Sequence, residues 1–81
     1  MSDYRIRVIL DTNVFIAAYW APRSASARLI RACIEGLARA EYTEEIRREV
    51  EYVLRKVGVG EDYLRWVERF WQSSDLVNSV S

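Results

Sequence analysis

One short segment constrains the fold of this chain more than any other: an apolar run that ends at an acidic residue. Residues 6–10 read Ile-Arg-Val-Ile-Leu, and Asp11 follows them directly. A run of this kind, bounded by polar residues, is typical of a buried strand. A carboxylate at the end of such a strand must be stabilised by hydrogen bonds or by a cation. Asp11 is therefore predicted to be either a cap of the following turn or a functional group.

The rest of the chain alternates between helical and strand patterns. Helix starts are predicted at Thr43 and at Ser24 or Ser26, because each precedes apolar positions spaced three and four residues apart. Gly36 predicts a helix end. The last helix is apolar around most of its circumference and is predicted to be buried on several sides. The predicted strands are residues 5–10, 37–42 and 76–80, and the predicted helices are residues 14–20, 44–57, 63–71 and the segment between the capping serine and Gly36.

This alternation predicts an α/β fold with a parallel sheet and right-handed crossovers. The chain has 81 residues, which is enough for one small domain spanning residues 1–81. In open parallel sheets, ligands bind beyond the carboxyl ends of the strands. Asp11 lies at such an end, so we expect a site there.

The composition excludes several classes of site. The chain has no histidine and a single cysteine, Cys33, so a Cys/His zinc site, histidine-based acid/base chemistry and an internal disulfide are all excluded. The 12 basic and 12 acidic residues cancel, which leaves no overall positive charge to attract nucleic acid or an anionic membrane. No apolar run is long enough to span a bilayer, and the N-terminus does not have the pattern of a signal peptide. We therefore expect a cytoplasmic protein without a membrane partner.

A second carboxylate, Glu49, is predicted to lie at the edge of an apolar helix face. From that position its side chain either reaches into the crevice beside Asp11 or stays solvated and pairs with Arg48 or Arg55. In the first case the two carboxylates are suited to sharing one Mg²⁺ or Mn²⁺ ion, with water and substrate phosphates as the other ligands. The apolar residues of that helix face are Ile46, Val50, Val53, Leu54 and Val57.

Two segments resemble a known family. Residues 8–16, Val-Ile-Leu-Asp-Thr-Asn-Val-Phe-Ile, resemble the opening motif of the PIN-domain family, the ribonucleases that include the toxins of many prokaryotic toxin–antitoxin pairs. Residues 42–54 are similar to the family's second acidic motif, in which Ser or Thr opens a helix and a glutamate precedes a short apolar pair. The resemblance covers residues 6–57 well and the remainder loosely.

The resemblance implies a three-layer α/β/α sandwich and metal-dependent cleavage of RNA. It matches Asp11 and Glu49 to the first two metal-binding acids of the family. The family's later aspartates have no counterpart here, so the fold is predicted to be truncated after the third strand. We therefore expect weak activity, or none, from the chain alone. The polar residues predicted to support the site are Thr12, Asn13 and Thr43.

The expected partners follow from the same resemblance. RNA is the expected substrate, and Arg23, Arg28 and Arg31 are candidates for contacts with its phosphates. A sheet truncated after its third strand is expected to leave the first strand as an exposed edge, and exposed edges recruit partners. We expect a homo-oligomer through that edge, a separately encoded second half, or an antitoxin as partner.

Two other functions stay open at this stage. Haloacid-dehalogenase-like phosphotransferases also begin with an apolar strand that ends at an aspartate, and Asp11 would then be the nucleophile. In that family a second aspartate usually acts as the acid/base two residues later, where this chain has Asn13. The other alternative is a non-catalytic interaction or regulatory fragment.

Aromatic residues cluster in two places. Tyr19 and Trp20 are predicted to lie near the crevice at the strand end, where they either pack or contact a substrate or an antitoxin. In the last helix, three- and four-residue spacing favours core packing over base stacking. The aromatic residues of that helix are Tyr63, Trp66, Phe70 and Trp71.

Overall fold

Within residues 6–77, the fold consists of three parallel strands and four helices. The computed structural model describes residues 6–77. The predicted α/β class with a parallel sheet is confirmed. The third strand is described for two residues, and the predicted strand residues 78–80 lie outside the described part. In chain order the elements are β1 (Ile6–Ile9), α1 (Thr12–Trp20), α2 (Ala25–Ile34), β2 (Ala38–Tyr42), α3 (Glu44–Val57), α4 (Glu61–Gln72) and β3 (Asp75–Leu76).

Side-chain caps mark the starts of α2 and α3. Ser24, rather than Ser26, caps α2, and its hydroxyl accepts a hydrogen bond from the Ala27 amide at 3.2 Å. The predicted cap of α3 is confirmed, because the Thr43 hydroxyl accepts from the Ile46 amide at 3.2 Å. Each cap satisfies an amide that has no partner within the first helical turn. The α3 helix ends at Gly58, whose φ of 86° lies in the left-handed region that glycine adopts without strain.

The sheet has the order β1-β2-β3, so β2 is its central strand. Side chains of β2 alternate in burial: Ala38, Ala40 and Tyr42 join the core, whereas Arg39 and Glu41 point to the opposite face. That opposite face carries ion pairs between neighbouring strands. Glu41 accepts a hydrogen bond from a β1 arginine at 2.7 Å, and Arg39 forms two bonds of 2.7 Å with an aspartate of β3. The two faces of the sheet therefore differ sharply in polarity.

The centre of the core is an aromatic cluster around Phe15, which is completely buried. Its ring lies edge-on to Phe70 with ring centroids 5.2 Å apart and stacks on Trp71 at 5.4 Å. These contacts connect α1 to α4. Contacts of this geometry add to the free energy gained from burying the rings. The position of α1 is therefore determined by residues more than fifty positions later in the chain.

Burial on α4 differs from the expectation that this helix is buried on several sides. Val67, Phe70 and Trp71 are buried, and three further apolar residues are half-buried. Polar residues occupy the other side of the helix and are exposed, so α4 is amphipathic. The prediction was wrong because it counted the apolar residues without weighing the charged ones between them. The exposed residues are Glu61, Asp62, Arg65, Glu68, Arg69 and Gln72.

The apolar face of α3 is buried in its middle and exposed at its end. Val50 and Leu54 are completely buried, whereas 42% of Val57 remains exposed although its spacing places it on the same face. Val57 is the last residue of the helix, directly before the Gly58 cap. Equal positions on a helical wheel therefore do not imply equal burial.

Substitutions at Leu54 and Val57 compare the contributions of a buried and an exposed position to stability. We expect Leu54→Ala to lower the free energy of unfolding by about 2–5 kcal/mol, because it removes a fully buried side chain and leaves a cavity. Val57→Ala, on the same helix, should change that free energy by no more than about 0.5 kcal/mol. Urea unfolding followed by circular dichroism measures both. Equal losses for the two variants would contradict the burial described here.

A hydrogen bond from a tyrosine side chain of α4 to the backbone of α1 links the two helices. The Tyr63 hydroxyl donates a hydrogen bond to the Phe15 carbonyl oxygen, and its ring lies edge-on to Tyr19 with centroids 4.9 Å apart. Burial disfavours the charged tyrosinate and raises the pKa of Tyr63 from 10.0 to about 12. Tyr63 therefore stays protonated, and keeps this hydrogen bond, well above neutral pH.

The raised pKa predicts a loss of stability in alkali. The folded state holds the Tyr63 proton more tightly than the unfolded state, so the free energy of unfolding falls as pH rises between about 10 and about 12. Urea unfolding at several pH values measures the slope. The Tyr63→Phe variant should have a smaller slope than the unmodified chain, because Phe has no proton to lose. Identical slopes would contradict the assignment.

Candidate active site

A cavity of about 260 Å³ opens where β1 ends, and the two predicted carboxylates line it together. The cavity lies between the start of α1 and the first half of α3. Its walls are largely apolar, with polar groups contributed by three side chains. The lining residues are Ile9, Leu10, Asp11, Thr12, Val14, Ile46 and Glu49.

Asp11 connects β1 to α1 and caps the helix. Its backbone is extended, and its Oδ1 atom accepts a hydrogen bond from the Val14 amide at 3.3 Å. The preceding Leu10 is buried, so the chain turns sharply from core to surface at this point. Because Asp11 supplies the cap, α1 begins at Thr12, two residues before the predicted start. The capping role proposed as an alternative is confirmed, and it leaves the carboxylate at the cavity.

Glu49 is brought to the same cavity by a hydrogen bond between helices. The Thr12 hydroxyl donates to Glu49 Oε1 at 3.1 Å, although the two residues are 37 positions apart. Glu49 is an exposed residue of α3, as its place at the edge of the apolar face predicts. The Nε atom of the neighbouring Arg48 lies 4.0 Å from Oε2 of Glu44, one turn earlier on α3. Of the alternatives left open by the sequence, the structure shows Glu49 reaching the crevice.

The donor set suits a hard divalent cation only in part. In each carboxylate one oxygen is occupied, Oδ1 of Asp11 by an amide and Oε1 of Glu49 by the Thr12 hydroxyl. The second oxygen of each therefore remains available, and carboxylate oxygens are the ligands that Mg²⁺ and Mn²⁺ prefer. Over residues 6–77, however, no group of three or more His, Cys, Asp or Glu side chains could hold a metal ion. The two carboxylates by themselves therefore do not form a complete metal-binding group within the described residues.

The other residues predicted to support the site have different positions. Thr12 lies in the cavity and holds Glu49, a role that its place in the motif did not reveal. Thr43 acts at the start of α3, where it sets the register that carries Glu49, and it does not line the cavity. Asn13 is exposed and is not a lining residue. Thr12 therefore lines the cavity itself, and the supporting roles of Asn13 and Thr43 stay predictions.

The three candidate arginines lie away from the carboxylate cavity. Arg23 is in the turn after α1, and Arg28 and Arg31 are exposed residues of α2. None of the three lines the cavity at the end of β1. Arg31 instead lines a second cavity of about 420 Å³. The predicted contacts of these arginines with RNA phosphates stay a prediction.

The second cavity lies between α1, α2 and α4. Three aromatic side chains form most of its wall, and a cation and an anion lie at its rim. Sequence spacing did not separate this wall from the core, because all the aromatic residues of α4 follow one helical pattern. The lining residues are Ala18, Tyr19, Pro22, Ala27, Arg31, Asp62, Tyr63 and Trp66.

Comparisons with known proteins agree with the geometry. A family model described as PIN domain matches residues 7–78, so the match extends through α4 and β3, beyond the segment for which the motifs alone indicate a close resemblance. Neither the comparison with curated proteins nor that with solved structures found a significant match. Among the helices of residues 6–77, none has the length and apolar character needed to cross a membrane. From its fold, its paired carboxylates and this match, the chain belongs to the PIN-domain family, a family of nuclease type.

Proposed function

We propose that this chain contributes to metal-dependent hydrolysis of RNA phosphodiester bonds at the Asp11–Glu49 cavity. One observation carries the proposal: the tertiary structure places both carboxylates in the lining of a single cavity, with Thr12 bonded to one of them. Membership of the PIN-domain family supports the reaction class. The substrate, the metal and the reaction of this particular chain are parts of the proposal.

Each residue of the site has a distinct task. Asp11 and Glu49 hold a Mg²⁺ or Mn²⁺ ion through the oxygens that protein groups do not occupy. Thr12 keeps Glu49 turned towards Asp11, which lowers the entropy lost when an ion binds. A bound divalent ion lowers the pKa of a ligand water and stabilises negative charge on the phosphate. The apolar walls, among them Val14 and Ile46, reduce competition from bulk water.

Two carboxylates are few for this chemistry, so we propose that the chain alone is weakly active or inactive. Two-metal hydrolysis needs enough anionic ligands to hold ions about 4 Å apart. A second copy, a separately encoded second half or an antitoxin-type partner is proposed to complete or control the site. A toxin–antitoxin role and a cytoplasmic setting are proposed on the resemblance described above.

Binding of Mn²⁺ tests the metal site without requiring turnover. We expect the 81-residue chain to bind one Mn²⁺ ion weakly, measured by the loss of its solution electron paramagnetic resonance signal. Asp11→Asn and Glu49→Gln should each weaken binding at least about tenfold, because each removes an anionic ligand. Glu44→Gln, on the exposed first turn of α3, is the matched control and should bind as the unmodified chain does.

Cleavage of a single-stranded RNA under the same conditions tests the activity. Slow or absent cleavage by the chain alone, with Mn²⁺ binding that depends on both carboxylates, agrees with the proposal. Robust Mg²⁺-dependent cleavage that Asp11→Asn abolishes would refute the proposed inactivity of the isolated chain. Mn²⁺ binding that is indifferent to both substitutions would remove the metal site itself.

Stability measurements keep the structural role of Asp11 separate from its charge. Asn caps helices about as well as Asp, so Asp11→Asn should change the free energy of unfolding by less than about 0.5 kcal/mol. Asp11→Ala removes the cap and should lower that free energy by about 1 kcal/mol. Urea unfolding measures both. A large loss in Asp11→Asn would mean that a loss of metal binding in this variant reflects unfolding.

The edge of β1 is the surface that we propose for assembly. Within the described residues β1 pairs with β2 on one side, and 75% of Ile9 is exposed. Light scattering coupled to size exclusion is expected to give a mass above that of the monomer, and Ile9→Lys should return it to the monomer value because charge disfavours edge pairing. A monomer in both cases would contradict assembly through this edge.

A further inference from the structure

Three aromatic residues line the second cavity, which lies between α1, α2 and α4. Phe70 and Trp71 are buried in the core, whereas Tyr19, Tyr63 and Trp66 are half-buried and line the cavity. The ring centroids of Tyr19 and Tyr63 lie 4.9 Å apart, and those of Tyr63 and Trp66 lie 5.5 Å apart. The three rings therefore form a continuous wall that is open on one side.

The charges at the rim favour an anionic ligand. Arg31 is exposed and lines the cavity, and no ion pair of Arg31 is seen among residues 6–77. Asp62 also lines the cavity, but it is paired with Arg65 one turn later on α4. Arg65 also lies 3.9 Å from Glu61 and so engages two acids, whereas Arg31 is a lining cation for which the described residues supply no acidic partner. A guanidinium group with this setting is suited to binding phosphate.

The aromatic wall and the arginine together match one chemical class. A nucleobase offers a flat surface that stacks on aromatic side chains, and its phosphate carries the charge that Arg31 attracts. The cavity volume of about 420 Å³ leaves room for a planar base beside the rings. We propose that this cavity binds a nucleobase with its phosphate, as part of a single-stranded RNA or as a free nucleotide.

The position of the cavity relative to Asp11 supports the RNA strand as the source. Thr12 lines the first cavity and Tyr19 the second, and residues seven positions apart on a helix lie on nearly the same face. Seven residues of α1 span about 10 Å at 1.5 Å per residue. A few nucleotides of a single strand are long enough to bridge that distance. The assignment of the ligand to an RNA strand rests on the proposed function, whereas the binding of a base does not.

Binding measured without metal keeps the two proposals distinguishable. In the presence of EDTA, we expect a labelled, short oligoadenylate to bind the 81-residue chain with a salt-dependent affinity. Adenosine monophosphate should compete with it better than ribose 5-phosphate, which has no base to stack. Tyr19→Leu and Arg31→Gln should each weaken oligoadenylate binding at least about fivefold, and Arg31→Gln should also reduce its salt dependence.

Matched controls lie on the other side of the molecule. Tyr52→Leu changes a tyrosine of α3 that is 64% exposed, and Arg55→Gln changes an exposed arginine of the same helix; neither residue lines the second cavity. Both variants should bind the oligoadenylate as the unmodified chain does. Circular dichroism checks that Tyr19→Leu folds, and if it does not, the exposed Arg31 variant together with the ribose 5-phosphate comparison decides the question.

The outcomes separate the ligand sources and the competing explanations. Oligoadenylate binding at least about tenfold tighter than that of adenosine monophosphate assigns the cavity to an RNA strand, and equal affinities assign it to a free nucleotide. Equal competition by ribose 5-phosphate, or equal affinities in the Tyr19 and Tyr52 variants, overturns the proposal. Absence of binding by both the oligoadenylate and adenosine monophosphate also overturns the proposal. That result is expected if the cavity instead binds a protein partner. Intact oligoadenylate binding, together with Mn²⁺ binding that is indifferent to Asp11→Asn and Glu49→Gln, would count against the nuclease proposal alone.

Discussion

The packing of Phe15 against Phe70 and Trp71 is the interaction on which the rest of this structure depends. It is formed between the first and the last helix, and together with the packing of α1 against α2 and α3 it positions α1. Both cavities have α1 as a wall, with Asp11 and Thr12 at one end of the helix and Tyr19 at the other. A chain of 81 residues can bury only a limited core. The same few aromatic contacts therefore stabilise the fold and position its sites.

The Thr12–Glu49 hydrogen bond in turn positions the second carboxylate, that of Glu49, relative to α1. An exposed glutamate on a helix would otherwise sample several rotamers in water, and holding it near Asp11 would cost conformational entropy at the moment of binding. The arrangement supplies two oxygen ligands from two elements and no third acid among residues 6–77. Such a set can orient a hydrated cation but cannot surround it. In the proposed metal site, the remaining ligands would come from water, substrate or another polypeptide.

The charged side chains of this molecule are concentrated on particular surfaces. One face of the sheet packs against the core, and the other carries ion pairs that link β1 to β2 and β2 to β3. The second cavity combines an aromatic wall with the arginine rim formed by Arg31. A net charge of zero for the whole chain therefore says little about how any one surface meets an anion.

Local sequence determined most of the elements of this protein, because caps, glycines and apolar spacing act over a few residues. The strand ending at Asp11, the cap at Thr43 and the edge position of Glu49 follow from such signals. The tertiary structure alone decided which apolar and polar side chains meet. In the folded chain Ser24 rather than Ser26 is the cap, and Val57 is exposed. Trp66 lines the second cavity whereas Trp71 is buried in the core, although both follow one helical pattern. The tertiary structure also brought Thr12 to Glu49, since a hydrogen bond across 37 positions depends on how two helices pack and not on the residues beside either partner.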